Sequence, residues 1–527
     1  MMMRAQQAQQ RRQAQQRRRK LEEVDGARRR RAEANRARSR RAARPPAPAQ
    51  GPGRAAGSAR PVAAAAAAGD APGAAEDAKV HEVVIVGGGV SGLSAAVALI
   101  KPKPGEGAAP IARGDILVTE ARSRVGGNIT TVSDAASPSL EHTYLWEEGP
   151  NSFQPNDSVL RMAVDVGVAD DLVLGDPTAP RFVLWDGELR KVPSSPLDFI
   201  KFELISFLGS VRAGLGAVGL RPPPPKVGDG DGDAKREETV KEFVTRNLGE
   251  EVFQKLIEPF CSGVYAGNPE KLSMRAAFGK IVAVEDKGGS LIGGAIKLIQ
   301  ERSADPPPPR DADLPPKPKG QTVGSFRRGL ETLPRAMREF VGADSVRTGW
   351  TLEQVAKDPV SQVFTLSYST EDGGRRELRT KAVVMATPAY VTADVLRSQA
   401  PEVFDLLSTY YYPPVCAVTL AYPMAAVKPD RLDDKGDLPG FGQLHPRTQG
   451  VTTLGSIYSS SLFPSRAPDG ELLVLNYIGG ATNTTIGELE QQAVVDTIDT
   501  DLREMLLKSD APKVSRPTER AVRPGAA

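Results

Sequence analysis

VVIVGGGVSGLSAAVALI (83–100), a polar insertion, and ILVTEARSRVGGN (116–128) decide the fold of this chain. Val83–Val86 is an apolar, β-branched run of the kind that forms a parallel strand buried on both faces. Gly87, Gly89 and Gly92 fill the three glycine places of GxGxxG, with Val90 and Ser91 in the same turn, and Ser94–Ile100 continue as an Ala-rich helix. The first glycine permits a tight turn, and the second lets backbone approach a pyrophosphate. The third lets the helix pack close to the strand with its N-terminus aimed at the anion. A second apolar run, Ile116–Val118, ends at Glu120, whose carboxylate can accept the hydroxyls of an adenosine ribose and disfavours a 2′-phosphate. Gly92 and Glu120 lie 28 residues apart because the loop KPKPGEGAAPIARGD (101–115) separates helix from strand. Strand, glycines, helix, strand and acid in this order predict an adenine-dinucleotide site and argue against NADP.

The net charge of +3 conceals an asymmetry: residues 1–60 carry 18 Lys and Arg against 4 Asp and Glu, leaving residues 61–527 with 50 against 61. The basic character belongs to the N-terminal arm, so nucleic acid is not an expected partner of the folded body. That arm, residues 1–76, is rich in Arg, Ala, Gln and Pro and poor in acids, as organellar transit peptides are. A solvated extension is its bland alternative. With 527 residues the chain can hold about two or three domains.

Cys261 and Cys416 are the only cysteines, and His81, His142 and His445 are scattered. A disulfide framework, a thiolate metal cluster or a His-based triad is therefore not expected, and no metal ligands are assigned. The DGDGD run at 229–233 fails as an EF-hand, because Ala234 takes the glycine place and Val240 the bidentate glutamate place. No run of 18 apolar residues exists, so no transmembrane helix is expected. Leu197, Ile200, Leu204, Phe207, Leu208, Val211, Leu215 and Val218 recur at helical spacing, interrupted by Gly209, Gly214 and Gly216. Periodicity alone allows either a core-facing helix, which it favours, or a monotopic membrane anchor.

Two Pro- and charge-rich breaks, 221–238 and 304–320, separate helical patterns that include Val240–Leu248 and Glu251–Pro259. Ser325–Phe340 then reads as a helix, Gln362–Ser369 and Glu377–Met385 as strands, Leu472–Tyr477 as a strand and Gln491–Leu507 as a helix. The alternation indicates an α/β fold with at least one inserted domain.

After Glu120 the sequence continues AxxRxGG, with Ala121, Arg124, Gly126 and Gly127, and so resembles the FAD-dependent amine-oxidase-like superfamily. WEEGPNSFQPND (146–157), PRFVLWDG (180–187), LIEPFCSGVYAGNPEKLSM (256–274), KPKGQTVGSFRRGL (317–330), GFGQLHPRTQG (440–450), SIYSSSLFPSRAP (456–468) and LNYIGGATN (475–483) narrow this. They resemble the protoporphyrinogen oxidase family in its plastid branch, over residues 80 to 513. The fold so implied is α/β: a Rossmann-like FAD-binding domain of the amine-oxidase/p-hydroxybenzoate-hydroxylase type, an inserted α+β substrate domain and a helical membrane-binding domain. The implied segments are 77–175 and 319–397 for FAD, 176–265 for the helical domain, and 266–318 with 398–510 for the substrate domain. Residues 511–527 form an atypical tail.

The resemblance implies oxygen-dependent oxidation of protoporphyrinogen IX to protoporphyrin IX, with FAD as hydride acceptor and hydrogen peroxide as by-product, in haem and chlorophyll biosynthesis. The cofactor carries the chemistry, so no catalytic side chain is assigned. By resemblance, Gly87, Gly89, Val90, Ser91, Gly92, Glu120, Ala121, Arg124, Gly127 and Asn128 hold the ADP half, with Arg124 pairing the pyrophosphate. Gly149, Pro150, Asn151 and Ser152 lie beside the isoalloxazine, and Val355 touches the adenine end. Arg181 faces a substrate propionate, while Leu444, Ile457 and Tyr477 sandwich the pyrrole rings. Implied partners are the tetrapyrrole, dioxygen, a peripheral membrane surface (thylakoid or envelope, in the chloroplast), a second copy in a homodimer, and chelatases that receive product. The membrane-binding domain of the family reverses the preference for a core-facing Leu197–Val218 stripe.

Family members end in a third flavin segment, a Gly-rich strand-to-helix turn, whereas here VSRPTERAVRPGAA follows Lys513. A truncated, catalytically impaired product with weak FAD retention, acting at most as an interaction protein, is the alternative expectation for the chain. A monoamine or polyamine oxidase is a third, which leaves the blocks from 146 to 483 unexplained.

Overall fold

Val80–Val86 forms strand β1 at the centre of a six-stranded sheet, as its apolar run predicts. The computed structural model describes residues 79–101, 109–134, 143–193, 204–225, 236–317, 320 and 322–512. The expectations for the N-terminal arm, the DGDGD run, Leu197, Ile200 and the residues after 512 lie outside these.

From β1 the chain enters helix α1 (Val90–Ile100) and returns through β2 (Ile116–Glu120). An antiparallel pair follows, β3 (Thr131–Ser133) and β4 (Leu145–Glu147), then helix α2 (Asp157–Asp165) and strand β5 (Leu172–Leu174). A hairpin, β6 (Arg181–Trp185) and β7 (Glu188–Lys191), precedes the helices α3 (Phe207–Ala217), α4 (Val240–Leu248), α5 (Glu258–Tyr265), α6 (Met274–Gly288) and α7 (Leu291–Ala304). Next come β8 (Gly324–Phe326), α8 (Thr332–Val341), β9 (Val346–Thr348), β10 (Trp350–Lys357), β11 (Phe364–Thr370) and β12 (Arg375–Met385). Helices α9 (Ala389–Leu396) and α10 (Pro401–Leu407) lead to β13 (Val415–Pro423), β14 (Gly442–Leu444), β15 (Thr453–Tyr458), β16 (Glu471–Gly479) and α11 (Gln491–Met505).

The first sheet has the order β10-β11-β12-β1-β2-β9, with β12, β1, β2 and β9 parallel and β10–β12 an antiparallel meander. Side chains of β1 alternate between two cores. Val83 and Ile85 pack with α1 and α8, whereas Val84 and Val86 meet Leu366, Tyr368 and Leu378 of the meander. Burial on both faces is why this stretch has no polar alternation. The second sheet runs β13-β16-β15-β14-β6-β7. One of its faces, through Val418, Leu420, Val474 and Ile478, packs on Val494, Ile498 and Leu502 of α11.

Three expectations change. The hairpin 181–191 belongs to the second sheet, so the segment 176–265 is not wholly helical, and helices run on to Ala304. The helix read from Ser325 begins only at Thr332, because Gly324–Phe326 pairs with β5 and a turn at Gly329 (φ +85°) intervenes. The apolar stripe on α3 does not face a core: Phe207 and Leu208 are 81% and 77% exposed, and Val211, Leu215 and Val218 are also exposed. The helix turns its small residues inward instead. A Cβ on Gly216 would lie 1.6 Å from the Asn247 carbonyl oxygen, and one on Gly209 2.0 Å from Glu251 Oε2.

Candidate active site

At the C-terminal end of β1, Gly87 donates its N–H to Thr119 O at 2.7 Å and adopts φ +114°. A Cβ there would lie 2.6 Å from Ala386 O, so both conformation and space require glycine. Gly92 seats α1 directly on this turn, since its Cβ would fall 2.0 Å from Gly87 O. Gly89 is the extended N-cap residue of α1 and carries no capping side chain, which leaves the helix N-terminus open to an anion. Glu120 ends β2 with its carboxylate buried, Oε2 accepting from Gly88 N–H at 2.8 Å and Oε1 from Arg122 N–H at 2.9 Å.

These elements border a cleft of about 600 Å³. Of the residues anticipated for the ADP half, Gly87, Gly89, Val90, Ser91, Glu120, Ala121, Gly127 and Asn128 line it, and Pro150 closes one end. Gly92 supports it from beneath. Two residues depart from expectation. The Arg124 guanidinium braces the following loop, donating to the carbonyls of Val125, Gly127 and Ile129 and to the Thr130 hydroxyl, and Arg122 lines the cleft in its place. Val355 is packed into the meander core with Leu366 and Leu378, and the strand instead offers Trp350, Thr351 and Leu352 to the cleft. The opposite wall is the Ala386–Pro388 turn after β12, where Ala386 N–H donates to Val86 O at 2.8 Å, with Tyr390 beyond it.

Of the loop after β4, Pro150 borders the cleft. A Cβ on Gly149 would lie 2.2 Å from Asn128 O, so the two loops touch backbone to backbone. Ser152 is half-buried, and Asn151 is buried with Oδ1 accepting from Ser459 Oγ at 3.2 Å. Asn151 Nδ2 has no hydrogen-bond partner among the described residues.

The second sheet brings the four anticipated substrate residues to one face. Gly442 stands opposite both Arg181 and Ile457, while Leu444 stands opposite Val183 and Gly455, and Gly455 opposite Tyr477. Residues at matched register, or two apart along a strand, share a face. Arg181, Leu444, Ile457 and Tyr477 therefore lie together, with Gly442 and Gly455 between them, on the side away from α11. The Tyr477 hydroxyl donates to Gly149 O at 3.2 Å and ties this face to the loop. Leu444 is pressed against α5, where a Cβ on Gly263 would lie 2.4 Å from its Cδ2. The Arg181 guanidinium lies over the Phe441 ring at 5.1 Å, and burial pulls its pKa below the usual arginine value.

Residues 90–521 match the family of flavin containing amine oxidoreductases. The chain belongs to this family. It is 55% identical over 439 residues to the chloroplastic protoporphyrinogen oxidase of Oryza sativa subsp. japonica, an overlap of 83% of this chain and 77% of the rice protein. To protoporphyrinogen oxidase 1, chloroplastic, of Spinacia oleracea it is 54% identical over 432 residues, 82% of this chain and 72% of the spinach protein. A solved structure from Exiguobacterium sp. 255-15 shares the fold, with TM-score 0.59 and 21% identity over 81% of this chain and 83% of that one.

The cofactor is FAD, and the residues present fit it. Gly87, Gly89 and Gly127 line the cleft without side chains, the N-terminus of α1 carries no capping side chain, Glu120 borders the cleft with a buried carboxylate, and Asn151 Nδ2 nearby is a buried donor with no acceptor among the described residues. Sequence reading missed Glu147 and Arg466. Glu147 is buried, and desolvation raises its carboxyl to about 7 against the hydrogen bonds from Leu330 and Thr131. Arg466 is buried too, which lowers its pKa, with Glu147 opposing. Only the carboxyl doublet Glu147–Glu148 beside an apolar run hinted at the first; nothing local marked the second.

Proposed function

We propose that this chain oxidises protoporphyrinogen IX to protoporphyrin IX with FAD as acceptor and dioxygen as final oxidant, releasing hydrogen peroxide. The observation that carries this reading is the shared sheet face. A guanidinium at one edge, apolar and aromatic side chains across it, and glycines between them suit a flat, apolar macrocycle with carboxylate arms. The 77–175 and 319–397 segments serve as the two flavin-binding parts, and 398–510 with the 181–191 hairpin as the substrate sheet.

Gly87, Gly89 and Gly92 with the N-terminus of α1 hold the pyrophosphate, Glu120 the ribose, and Gly149–Ser152 the ring edge through Asn151. Bound FAD supplies the acceptor for hydride from the macrocycle. Arg181 anchors a propionate by charge-assisted hydrogen bonds, so the macrocycle cannot slide along the sheet. Leu444, Ile457 and Tyr477 hold the pyrrole faces and exclude water, and orientation is the main contribution of the protein.

The chloroplast is the compartment we assign, with the chain peripheral on a thylakoid or envelope surface. Exposed Phe207, Leu208, Val211 and Leu215 on α3 and Ile292, Ile296 and Ile299 on α7 support contact with lipid, and no helix among the described residues is long and apolar enough to cross a membrane. A homodimer and product transfer to chelatases belong to the same reading.

The test is to purify the full chain, add excess FAD, and follow porphyrin fluorescence on addition of protoporphyrinogen IX. FAD-dependent fluorescence with matching peroxide is the expected result. Peroxide from amines without porphyrin formation would replace this reading with an amine oxidase.

A further inference from the structure

Glu147 ends β4 with its side chain only 4% exposed as a residue. Its Oε1 accepts the Leu330 N–H at 2.8 Å and its Oε2 the Thr131 hydroxyl at 2.7 Å, while Thr131 Oγ1 accepts the Glu331 N–H at 3.0 Å. One carboxylate thus fastens the β3–β4 pair to the turn that opens α8. The fit is close, since a Cβ on Gly329 would lie 2.1 Å from Thr131 Cγ2. Two residues beyond Glu147 is Gly149, held by Tyr477, and then Asn151 with its unpartnered Nδ2. From the other side, Leu145 N–H donates to Arg466 O at 3.0 Å. The Arg466 guanidinium gives Nη2 to Ser325 Oγ at 2.8 Å and Phe326 O at 3.1 Å, and Nη1 has no partner among the described residues.

We propose that Glu147 is a positioning residue for the oxidation: its carboxylate, held by Leu330 and Thr131, sets how the Gly149–Ser152 loop presents itself to the flavin ring, and holds the loop in place when ionised. This rests on the flavin-dependent reading above. The charged and titratable groups that face Glu147 are Arg466 from the segment after β15, Glu331 from the turn that opens α8 with its ion-pair partner Arg335 (3.0 Å), and Tyr477 from β16. Burial raises the Glu147 carboxyl to about 7, Arg466 opposes that rise and Glu331 adds to it.

The experiment measures kcat against pH on FAD-supplemented full chain, with bound flavin quantified at each pH. Wild type should lose activity about tenfold on the acid side of an inflection near neutrality, the effect of one hydrogen bond to a charged group. E147Q should be flat at the lower level, because an amide nitrogen cannot accept the Thr131 proton. E331Q should move the inflection to lower pH and R466M to higher pH, opposite shifts that a merely structural role would not produce. These two keep the test alive if E147Q does not fold.

Thermal unfolding gives a second readout that needs no turnover. A carboxyl raised in the folded state contributes stability that is present below its ordinary value of 4.5 and is lost as pH rises through about 7. E147Q should remove that slope. An active, flavin-loaded wild type with flat kcat from acid to neutral pH, or an inflection unmoved in both E331Q and R466M, overturns the proposal and leaves the functional reading standing. A chain that never takes up FAD overturns both.

Discussion

Arg181 opens β6 at the edge of the site face, half-buried beside Phe441. If it holds a propionate, Arg181→Ala removes a charge-assisted bond made equally in ground and transition states. KM for the porphyrinogen should then rise about tenfold or more with kcat and FAD content little changed. Steady-state kinetics on the FAD-supplemented variant check this, and an unchanged KM would remove Arg181 from the site. At this scale the sequence spoke clearly where sterics leave one answer. Gly87 and Gly92 were legible because any Cβ would strike backbone within 2.6 Å. Arg124 and Val355 were not, because a guanidinium or an apolar strand residue takes whichever partners the surrounding chain offers. Only the folded loop shows that the carbonyls of Val125, Gly127 and Ile129 claim Arg124.

Helices α3 and α7 share a device that periodicity alone did not reveal. Each turns glycine toward the protein, where Gly216 abuts Asn247 O and a Cβ on Gly294 would lie 1.7 Å from Val284 O, and each leaves large apolar residues outside, Phe207 and Leu208 on α3 and Ile292, Ile296 and Ile299 on α7. A hydropathy pattern reports that a stripe exists but not which partner covers it, so the core-facing option stayed open until packing decided. For lipid contact, Phe207→Glu with Leu208→Glu should cut co-sedimentation with mixed neutral and anionic phospholipid vesicles by tenfold or more, since burying each side chain is worth about 1.5–3 kcal/mol. Ile296→Glu should weaken it further. Unchanged vesicle binding together with a smaller oligomer in solution would assign this face to a second copy instead.

Across the whole molecule, two sheets divide the labour. The first borders the glycine-rich cleft, and the second gathers Arg181, Leu444, Ile457 and Tyr477 on one face while α11 covers the other. Leu502, fully buried beneath the second sheet, should cost about 2–5 kcal/mol of stability when replaced by Ala. Because it lies on the face away from the cleft, the extra stabilisation conferred by added FAD should persist unchanged, which thermal unfolding with and without FAD would check. Loss of that increment would mean that the two sheets respond as one. The sequence by itself determined the β1–α1–β2 fingerprint, the acid at its end and the family, because a tight turn, a close helix and a pyrophosphate leave few residue choices and place them within one local unit. Only the tertiary structure decided that residues from four separate strands, β6, β14, β15 and β16, share one face, and that Glu147 is buried against Leu330 and Thr131. Those facts depend on strand register and on desolvation by distant segments, which no local pattern encodes.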